Sequence, residues 1–322
     1  MAVRHLVDPE SWAAFEALRE HVPIGPGSDV PLSVRREMYE QVMAEAAPPV
    51  DDPRVAWHDD VVDAGPPVPV RIYRPVGPDA DGACIVHVHG GGMVVGSVRT
   101  DHAACTELCA RHRAVVISVD YRLAPEHPYP AAVDDVSAVL RHVRAGGVDG
   151  VDPELVVLRG ESAGGGLALG AALRARDRGE ALPAALVAIY PMVDDRNETP
   201  SSRAVDDIGV WDRAHNVEAW SLYLGGREAD AYAAPARAER LDGLPPLYLD
   251  VGTCDLFHDE VVDLAERVAR DGGQVELHVW EGAFHGSEGI AYAAPLSTRI
   301  RATREQALAQ ALRPAPVDTL GG

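Results

Sequence analysis

The sequence contains no lysine, so each of its 29 basic residues is an arginine. Acidic residues number 50, which leaves a formal net charge of −21 at pH 7. An excess of negative charge this large repels the phosphates of nucleic acids and the headgroups of anionic membranes. We therefore expect neither nucleic acid nor an anionic membrane surface as a partner.

Long apolar runs are also missing. No run approaches the length of a membrane span, and the N-terminal segment reaches an acidic helix start at Asp8 before any apolar stretch suited to a signal peptide. We therefore expect a soluble, cytoplasmic protein without stable membrane insertion.

Cysteine is scarce, and no Cys-x-x-Cys pair occurs. A chain of this size needs no disulfide framework, so we expect reduced thiols. Cys105 and Cys109 would share one face of a helix, but two ligands make an incomplete metal site and ordinary packing explains them. The four cysteines are Cys84, Cys105, Cys109 and Cys254.

The order of predicted elements indicates an α/β fold. Two amphipathic helices come first, one with Asp8 as N-cap and Pro9 at its first position, the other from about Pro31 to Ala47. Short β-rich runs then alternate with helix-like segments, which predicts a mostly parallel central sheet flanked by helices. These runs are Val68–Tyr73, Cys84–His89, Ala114–Val119, Leu155–Leu158, Ala184–Tyr190, Leu247–Val251 and Val275–Trp280.

One stretch is too long for a simple crossover. More than fifty residues separate Tyr190 from Leu247, and Arg213–Leu224 within them has helical spacing. We predict that residues 195–240 form a cap insertion over the site, together with helices in residues 1–53. The catalytic domain would then comprise residues 54–194 and 241–312, followed by a flexible tail at 313–322.

A candidate nucleophile lies at residues 160–164, which read Gly-Glu-Ser-Ala-Gly. This Gly-x-Ser-x-Gly pattern follows a predicted strand and opens a predicted helix, which is the setting that a nucleophile elbow requires. Flanking glycines keep side chains from colliding at the sharp turn. Ser162 could equally be an ordinary helix N-cap, and the local sequence leaves both interpretations open.

A glycine-rich loop, His89-Gly90-Gly91-Gly92, follows the run that begins at Cys84. Its glycines let the N–H groups of Gly90 and Gly91 approach an oxyanion, and the N–H of Ala163 would complete the hole. A phosphate cradle is the rival interpretation, but the loop lacks the Lys-Ser/Thr ending of a P-loop and the spacing of a dinucleotide fingerprint.

A metal pair is conceivable at His87 and His89, which would share a strand face. No carboxylate or cysteine at ligand spacing joins them, so we expect no metal and no cofactor.

A serine nucleophile needs a base and an acid, which follow it along the chain in the order acid, then histidine. Asp255 and His285 each come just after a predicted strand, where the carboxyl ends of parallel strands place a site. His258 falls too early for this order. Asp259 and Glu260 fall in a first helical turn, where acidic side chains suit the helix dipole. We therefore predict Ser162, Asp255 and His285 as the catalytic set.

Four separated motifs in this order resemble the bacterial hormone-sensitive lipase-like esterases. They are the loop 89–92, the block Asp-Tyr-Arg-Leu-Ala-Pro-Glu at residues 120–126, the elbow at 160–166, and the loops that carry Asp255 and His285. The resemblance implies an α/β-hydrolase fold with a helical cap and a metal-independent carboxylesterase acting on short acyl chains. It also implies that a homodimer is possible.

The sequence departs from the family pattern at three positions. Glu161 stands where the family usually has aspartate, Leu256 where proline commonly follows the acid, and Ser287 where an aromatic residue often stands. None of these changes removes a catalytic group, so they bear on substrate fit. His89, Gly92 and Glu161 are expected to support the motifs without taking part in bond making.

Two other functions are compatible with this fold. An amidase or N-acetyl hydrolase would use the same three catalytic residues. A ligand-binding receptor that is no longer an enzyme would be expected to lack one of them, and all three are present. The sequence therefore favours a small-molecule ester as the substrate but does not identify which one.

Overall fold

A computed structural model describes residues 3–21, 30–46, 52–77, 82–205 and 208–313. A single eight-stranded sheet, in the order β1-β2-β4-β3-β5-β6-β7-β8, runs through these residues. Only β2 runs against the others, so the prediction of a mostly parallel sheet is confirmed. The strands are β1 Val55–Val62, β2 Val68–Pro75, β3 Cys84–Val88, β4 Val115–Val119, β5 Val156–Glu161, β6 Ala185–Ile189, β7 Leu247–Gly252 and β8 Val275–Trp280.

The central strands form the core because they are buried along their length. Every residue of β3, β4, β6 and β7 is buried. These strands are rich in valine, isoleucine and leucine rather than alternating with polar residues, which is the pattern of a parallel sheet covered on both faces. The described part of the chain thus builds one large apolar core around the sheet, and a small separate cluster contains Ala283, Leu296 and Ile300.

Helices follow most of the strands. They are α1 Pro9–His21, α2 Leu32–Ala46, α3 His102–His112, α4 Ala131–Arg144, α5 Ala163–Arg178, α6 Pro200–Ala204, α7 Arg213–Leu224, α8 His258–Arg270, α9 Ser287–Ile290 and α10 Pro295–Ala311. The predicted first helix is confirmed, with Asp8 Oδ1 accepting a hydrogen bond from the N–H of Ser11 at 2.9 Å. None of the described helices has the length and apolar character needed to cross a bilayer.

The strand order creates the crevice in which the site lies. The chain leaves β3 through α3 towards β4, and it leaves β5 through α5 towards β6 on the other side. Neighbouring strands whose connections depart in opposite directions open a crevice at their carboxyl ends. The loop after β3 and the turn after β5 therefore face each other there.

One strand was not predicted. In β1, Val55–Val62, six consecutive residues are exposed because the strand lies at the edge of the sheet and pairs only with β2. An exposed edge strand needs neither an apolar run nor strict alternation, which are the signals that reveal buried strands. The sequence analysis placed the first strand of the sheet at Val68, which was wrong because β1 precedes it.

The predicted cap segments contact the carboxyl edge of the sheet and each other. Arg35 of α2 makes two hydrogen bonds to Glu218 of α7, at 2.8 and 2.6 Å. Phe15 of α1 packs on Phe284, with ring centroids 5.4 Å apart. The domain boundaries themselves stay predictions, and the predicted tail lies outside the described residues after Arg313.

Candidate active site

Ser162 sits in the turn between β5 and α5 with φ 54° and ψ −119°. This left-handed backbone costs about 1–3 kcal/mol in a non-glycine residue and persists only where surrounding contacts enforce it. Here the Ser162 N–H donates to the Ile189 carbonyl at 2.9 Å, and the Met192 N–H donates to the Ser162 carbonyl at 3.0 Å. Ser162 occupies the N-cap position of α5, but its side chain makes no capping hydrogen bond.

Glycines allow this turn to pack tightly. A Cβ at Gly160 would lie 2.2 Å from the carbonyl oxygen of Gly164, and a Cβ at Gly164 would lie 2.1 Å from that of Val88. Contacts this short exclude any side chain. The start of α5 is thereby pressed against the end of β3, which brings Ser162 beside the glycine-rich loop.

The Ser162 hydroxyl instead faces His285. Its Oγ lies 3.0 Å from His285 Nε2, and His285 Nδ1 lies 2.8 Å from Asp255 Oδ2. The three residues are 7%, 6% and 1% exposed for Ser162, His285 and Asp255 respectively. The structure thus brings together the three residues predicted from the sequence, from the ends of β5, β8 and β7.

The partners of Asp255 fix the tautomer of His285. Asp255 Oδ1 accepts the N–H of Phe257 at 2.9 Å, which leaves Oδ2 to accept the Nδ1–H of His285. A neutral imidazole that donates from Nδ1 has an unprotonated Nε2, and this nitrogen can accept the Ser162 proton. The series is therefore arranged to transfer a proton away from Oγ.

The glycine-rich loop lies next to Ser162. A Cβ at Gly90 would lie 3.5 Å from Ser162 Cβ, and Gly91 has φ 104°, which only glycine adopts readily. Within the described residues, no acceptor takes a hydrogen bond from the N–H of Gly90, Gly91 or Ala163. Backbone donors left free beside a nucleophile are available to a substrate oxygen.

His89 and Tyr121 brace this loop. Their rings stack with centroids 4.1 Å apart, and the Tyr121 hydroxyl donates to the His89 carbonyl at 3.0 Å. Burial lowers the pKa of His89, so its ring stays neutral, and its Nδ1–H donates to the Gly90 carbonyl at 2.8 Å. The histidine at position 89 and the tyrosine of the 120–126 block therefore act on the loop rather than on a ligand.

Glu161 is partly exposed and lies at one end of a chain of polar contacts whose other members, Arg159, His87 and Asp101, are buried. Arg159 donates to Glu161 at 2.5 Å and to His87 Nδ1 at 2.9 Å, and His87 Nε2 lies 2.7 Å from Asp101. Because arginine only donates, His87 must carry its proton on Nε2 and donate it to Asp101. Both nitrogens of His87 are thus occupied by protein partners, which argues against the conceivable metal pair with His89. No group of three metal-ligating side chains occurs in the described ranges.

The competing residues after β7 have other partners. Asp259 accepts hydrogen bonds from the Ser201 N–H at 2.8 Å and from His258 Nδ1 at 2.8 Å. Glu260 was predicted to be a helix-dipole acid, but it is buried and accepts the N–H groups of Val193 and Asp194 at 2.8 and 3.2 Å. Burial first, and the negative charges of Asp194 and Asp255 after it, raise the pKa of Glu260 well above its ordinary value.

Residues 208–212, which we call the strap, contact both the glycine-rich loop and the loop that carries His285. A Cβ at Gly92 would lie 2.3 Å from the Trp211 ring, so this ring rests on the glycine-rich loop. At the other end, a Cβ at Gly209 would lie 2.9 Å from the Phe284 ring and 3.6 Å from the His285 carbonyl oxygen. The strap therefore touches both loops that flank Ser162. It lies within residues 195–240, the predicted cap insertion, but its contacts with Gly92 and Phe284 were not predicted.

Known proteins resemble this chain over most of its length. A family model described as alpha/beta hydrolase fold matches residues 85–288. Esterase LipI of Mycobacterium tuberculosis is 37% identical over 262 residues, covering 77% of this chain and 82% of LipI. Ethyl acetate hydrolase of Pseudomonas putida is 31% identical over 258 residues, covering 78% and 81% of the two chains. Among solved structures, a bacterial heroin esterase superposes with a TM-score of 0.90 at 32% identity, covering 96% of this chain and 99% of that one.

Proposed function

Because this chain belongs to the hormone-sensitive lipase-like esterases of the α/β-hydrolase fold and is a carboxylic ester hydrolase, we propose that it cleaves short-chain acyl esters through Ser162, His285 and Asp255. The observation that carries the proposal is the continuous hydrogen-bonded series from Ser162 Oγ through His285 to buried Asp255. A serine hydroxyl is a weak nucleophile until an adjacent base removes its proton, and this series supplies that base.

In the first half of the reaction, Ser162 Oγ bonds to the ester carbonyl carbon while its proton moves to His285 Nε2. Asp255 accepts the Nδ1–H bond throughout and balances the charge of the imidazolium. The carbonyl oxygen becomes an oxyanion, which the N–H groups of Gly90, Gly91 and Ala163 are positioned to stabilise. The intermediate then collapses, the C–O bond breaks, and the alcohol leaves with the proton from Nε2.

In the second half, water attacks the carbonyl carbon of the acyl-Ser162 ester. His285 Nε2 takes a proton from this water and returns it to Ser162 Oγ as the acyl–oxygen bond breaks. The carboxylic acid is released and the enzyme returns to its starting state. No step requires a metal or an organic cofactor.

Replacement of Ser162 tests the assignment. Ser162→Ala should abolish hydrolysis of p-nitrophenyl butyrate, leaving at most the weak background of the oxyanion donors, because the bonding atom is gone. A fluorophosphonate probe should label the wild-type protein at Ser162 and leave the variant unlabelled. Near-normal turnover by the variant, or labelling at another hydroxyl, would refute the assignment.

Two observations support short acyl groups. One relative is named for the hydrolysis of ethyl acetate, an ester of a two-carbon acid. In addition, the Trp211 ring rests on Gly92 of the glycine-rich loop, and Gly90 of the same loop lies next to Ser162, so the ring would limit the room for a long acyl chain. Each buried CH₂ contributes about 0.8 kcal/mol to the binding of the acyl chain. Esters with long acyl chains would therefore be preferred if the site contained a tunnel for them.

A chain-length series tests this preference. We expect p-nitrophenyl butyrate to be cleaved faster than p-nitrophenyl palmitate at equal solubility, and Trp211→Ala to raise the relative rate on the longer esters. Trp57→Ala is a matched control, since Trp57 lies on the edge strand β1, and it should leave the profile unchanged. Faster cleavage of palmitate by the wild type would contradict the short-chain proposal.

A further inference from the structure

A buried charged cluster lies behind His285. Arg304 of α10 donates to both oxygens of Asp250 in β7, at 2.5 and 3.1 Å, and also to Glu288 of α9. The Tyr190 hydroxyl donates to the same oxygen of Glu288 at 2.8 Å. The cluster thus joins the ends of β6 and β7 to the two C-terminal helices among the described residues.

The charges of this cluster are fixed by their burial and pairing. Burial alone raises the pKa of Glu288, but the charge of Arg304 and its hydrogen bond outweigh this effect and hold the pKa below its ordinary value. Burial raises the pKa of Tyr190, so its hydroxyl keeps the proton that it donates. Buried ion pairs add little net stability, because desolvation offsets their attraction. Stability alone is therefore a weak reason for this arrangement.

Tyr190 connects the cluster to His285 in two ways. Its ring meets the imidazole edge-on, with centroids 4.6 Å apart and planes at 62°. Its hydroxyl donates to Glu288 of α9, the helix that directly follows the turn carrying His285, where the Ser287 N–H donates to the Phe284 carbonyl at 3.0 Å. Tyr190 therefore contacts the imidazole directly and also anchors the turn that carries it.

We propose that Tyr190 is a positioning residue for His285, with Glu288 and Arg304 holding its hydroxyl in place. The inference rests on the proposed function, since it concerns the orientation of the proposed base. Rotation of the imidazole would lengthen the 3.0 Å contact between Nε2 and Ser162 Oγ. A misplacement of reacting atoms by about 1 Å can lower the rate about 100-fold. A contact that prevents rotation of the His285 ring would therefore preserve catalysis.

Tyr248 offers a matched control. Its hydroxyl donates to Asp250 at 3.1 Å, so it contributes to the same cluster, but its ring packs on His278 rather than on His285. Tyr190→Leu and Tyr248→Leu each remove one ring and one hydrogen bond from the cluster. Only Tyr190→Leu removes a contact with the imidazole of His285.

The test measures kcat, KM and the downfield Nδ1–H proton resonance of His285 in both variants. Tyr190→Leu should lower kcat by about 10- to 100-fold with little change in KM, and should broaden or abolish the resonance. Tyr248→Leu should lower the melting temperature but keep kcat and the resonance. Tyr190→Phe keeps the ring but loses the hydrogen bond to Glu288, so it should fold normally, recover only part of the lost kcat, and stay below Tyr248→Phe in kcat.

Three results would overturn the inference: an unchanged kcat and resonance in Tyr190→Leu, an equal loss of kcat in Tyr248→Leu, or no recovery in Tyr190→Phe. If Tyr190→Leu fails to fold, Tyr190→Phe is compared with Tyr248→Phe, and equal resonances and rates in that pair would reject it. A wild-type protein without esterase activity would instead refute the proposed function. The resonance reports the orientation of His285 independently of turnover, so the two failures are distinguishable.

Discussion

Asp255 and Asp259 follow the same strand, but the structure gives them different partners. Asp255 is buried, and its Oδ2 receives the Nδ1–H of His285 at 2.8 Å. Asp259 is partly exposed and accepts the N–H of Ser201 and a hydrogen bond from His258. At the scale of single residues, the acid is thus distinguished by its burial and its partner rather than by its residue type.

We predict that Asp255→Asn lowers turnover by a factor on the order of 10⁴, because the asparagine amide favours the wrong tautomer of His285 and removes its charge partner. Asp259→Asn should retain turnover and lose about 0.3–1 kcal/mol of stability from the first turn of α8. Steady-state kinetics and thermal melts of both variants, each checked for folding by circular dichroism, measure these effects. The reverse ranking in turnover would reassign the acid to Asp259.

At the scale of elements, the contact between α5 and β3 decides where Ser162 points. Gly164, at the start of α5, lies so close to β3 that a Cβ there would be 2.1 Å from the Val88 carbonyl and 2.5 Å from that of His89. The helix N-terminus is thereby held beside the glycine-rich loop. Its backbone N–H groups and the positive end of its dipole then face the position where negative charge would develop.

This packing predicts different effects on stability for glycine-to-alanine changes in two helices. We predict that Gly164→Ala destabilises the protein by about 3 kcal/mol or more, because backbone atoms of β3 must move. Gly289 in α9 has no atom within 4 Å of an added Cβ, so Gly289→Ala should be neutral or stabilise by about 0.5–1 kcal/mol. Chemical denaturation midpoints test both changes. Equal changes in stability at the two sites would show that the close approach of α5 to β3 does not determine the cost of adding a Cβ at Gly164.

At the scale of the whole molecule, the net charge of −21 opposes folding by self-repulsion. Most described ion pairs have at least one partner that is partly exposed to solvent, such as Arg71 with Asp59 and Arg240 with Asp242. Exposed pairs contribute little, typically about 0–1 kcal/mol each. The overall repulsion should therefore dominate the response of stability to salt.

We expect NaCl to raise the melting temperature. Increasing ionic strength from about 0.01 M to about 0.15 M shortens the Debye length from about 30 Å to about 8 Å, which screens the repulsion. The gain should disappear near the isoelectric pH of about 4.9, where the net charge vanishes. Differential scanning calorimetry across both variables measures it. A melting temperature that falls with NaCl at neutral pH would mean that the surface ion pairs outweigh the repulsion.

The sequence by itself determined the fold class and the residues that the structure brings together around Ser162. The elbow at 160–164 and the loop at 89–92 can be predicted from the sequence. Only glycine allows the backbone to approach so closely, and these glycines occur at fixed spacing. Asp255 and His285 are readable because they follow buried strands whose carboxyl ends meet at one edge of the sheet.

Only the tertiary structure decided which other side chains surround these groups. The edge strand β1 is too exposed to have an apolar pattern, and Glu260 resembles an ordinary acid in the first turn of a helix. Tyr190 contacts His285, and Trp211 contacts Gly92. Both pairs are far apart along the chain, so no local sequence pattern predicts these contacts. The physical reason is that local sequence constrains backbone conformation and burial, whereas contacts between residues far apart along the chain exist only once the core has packed.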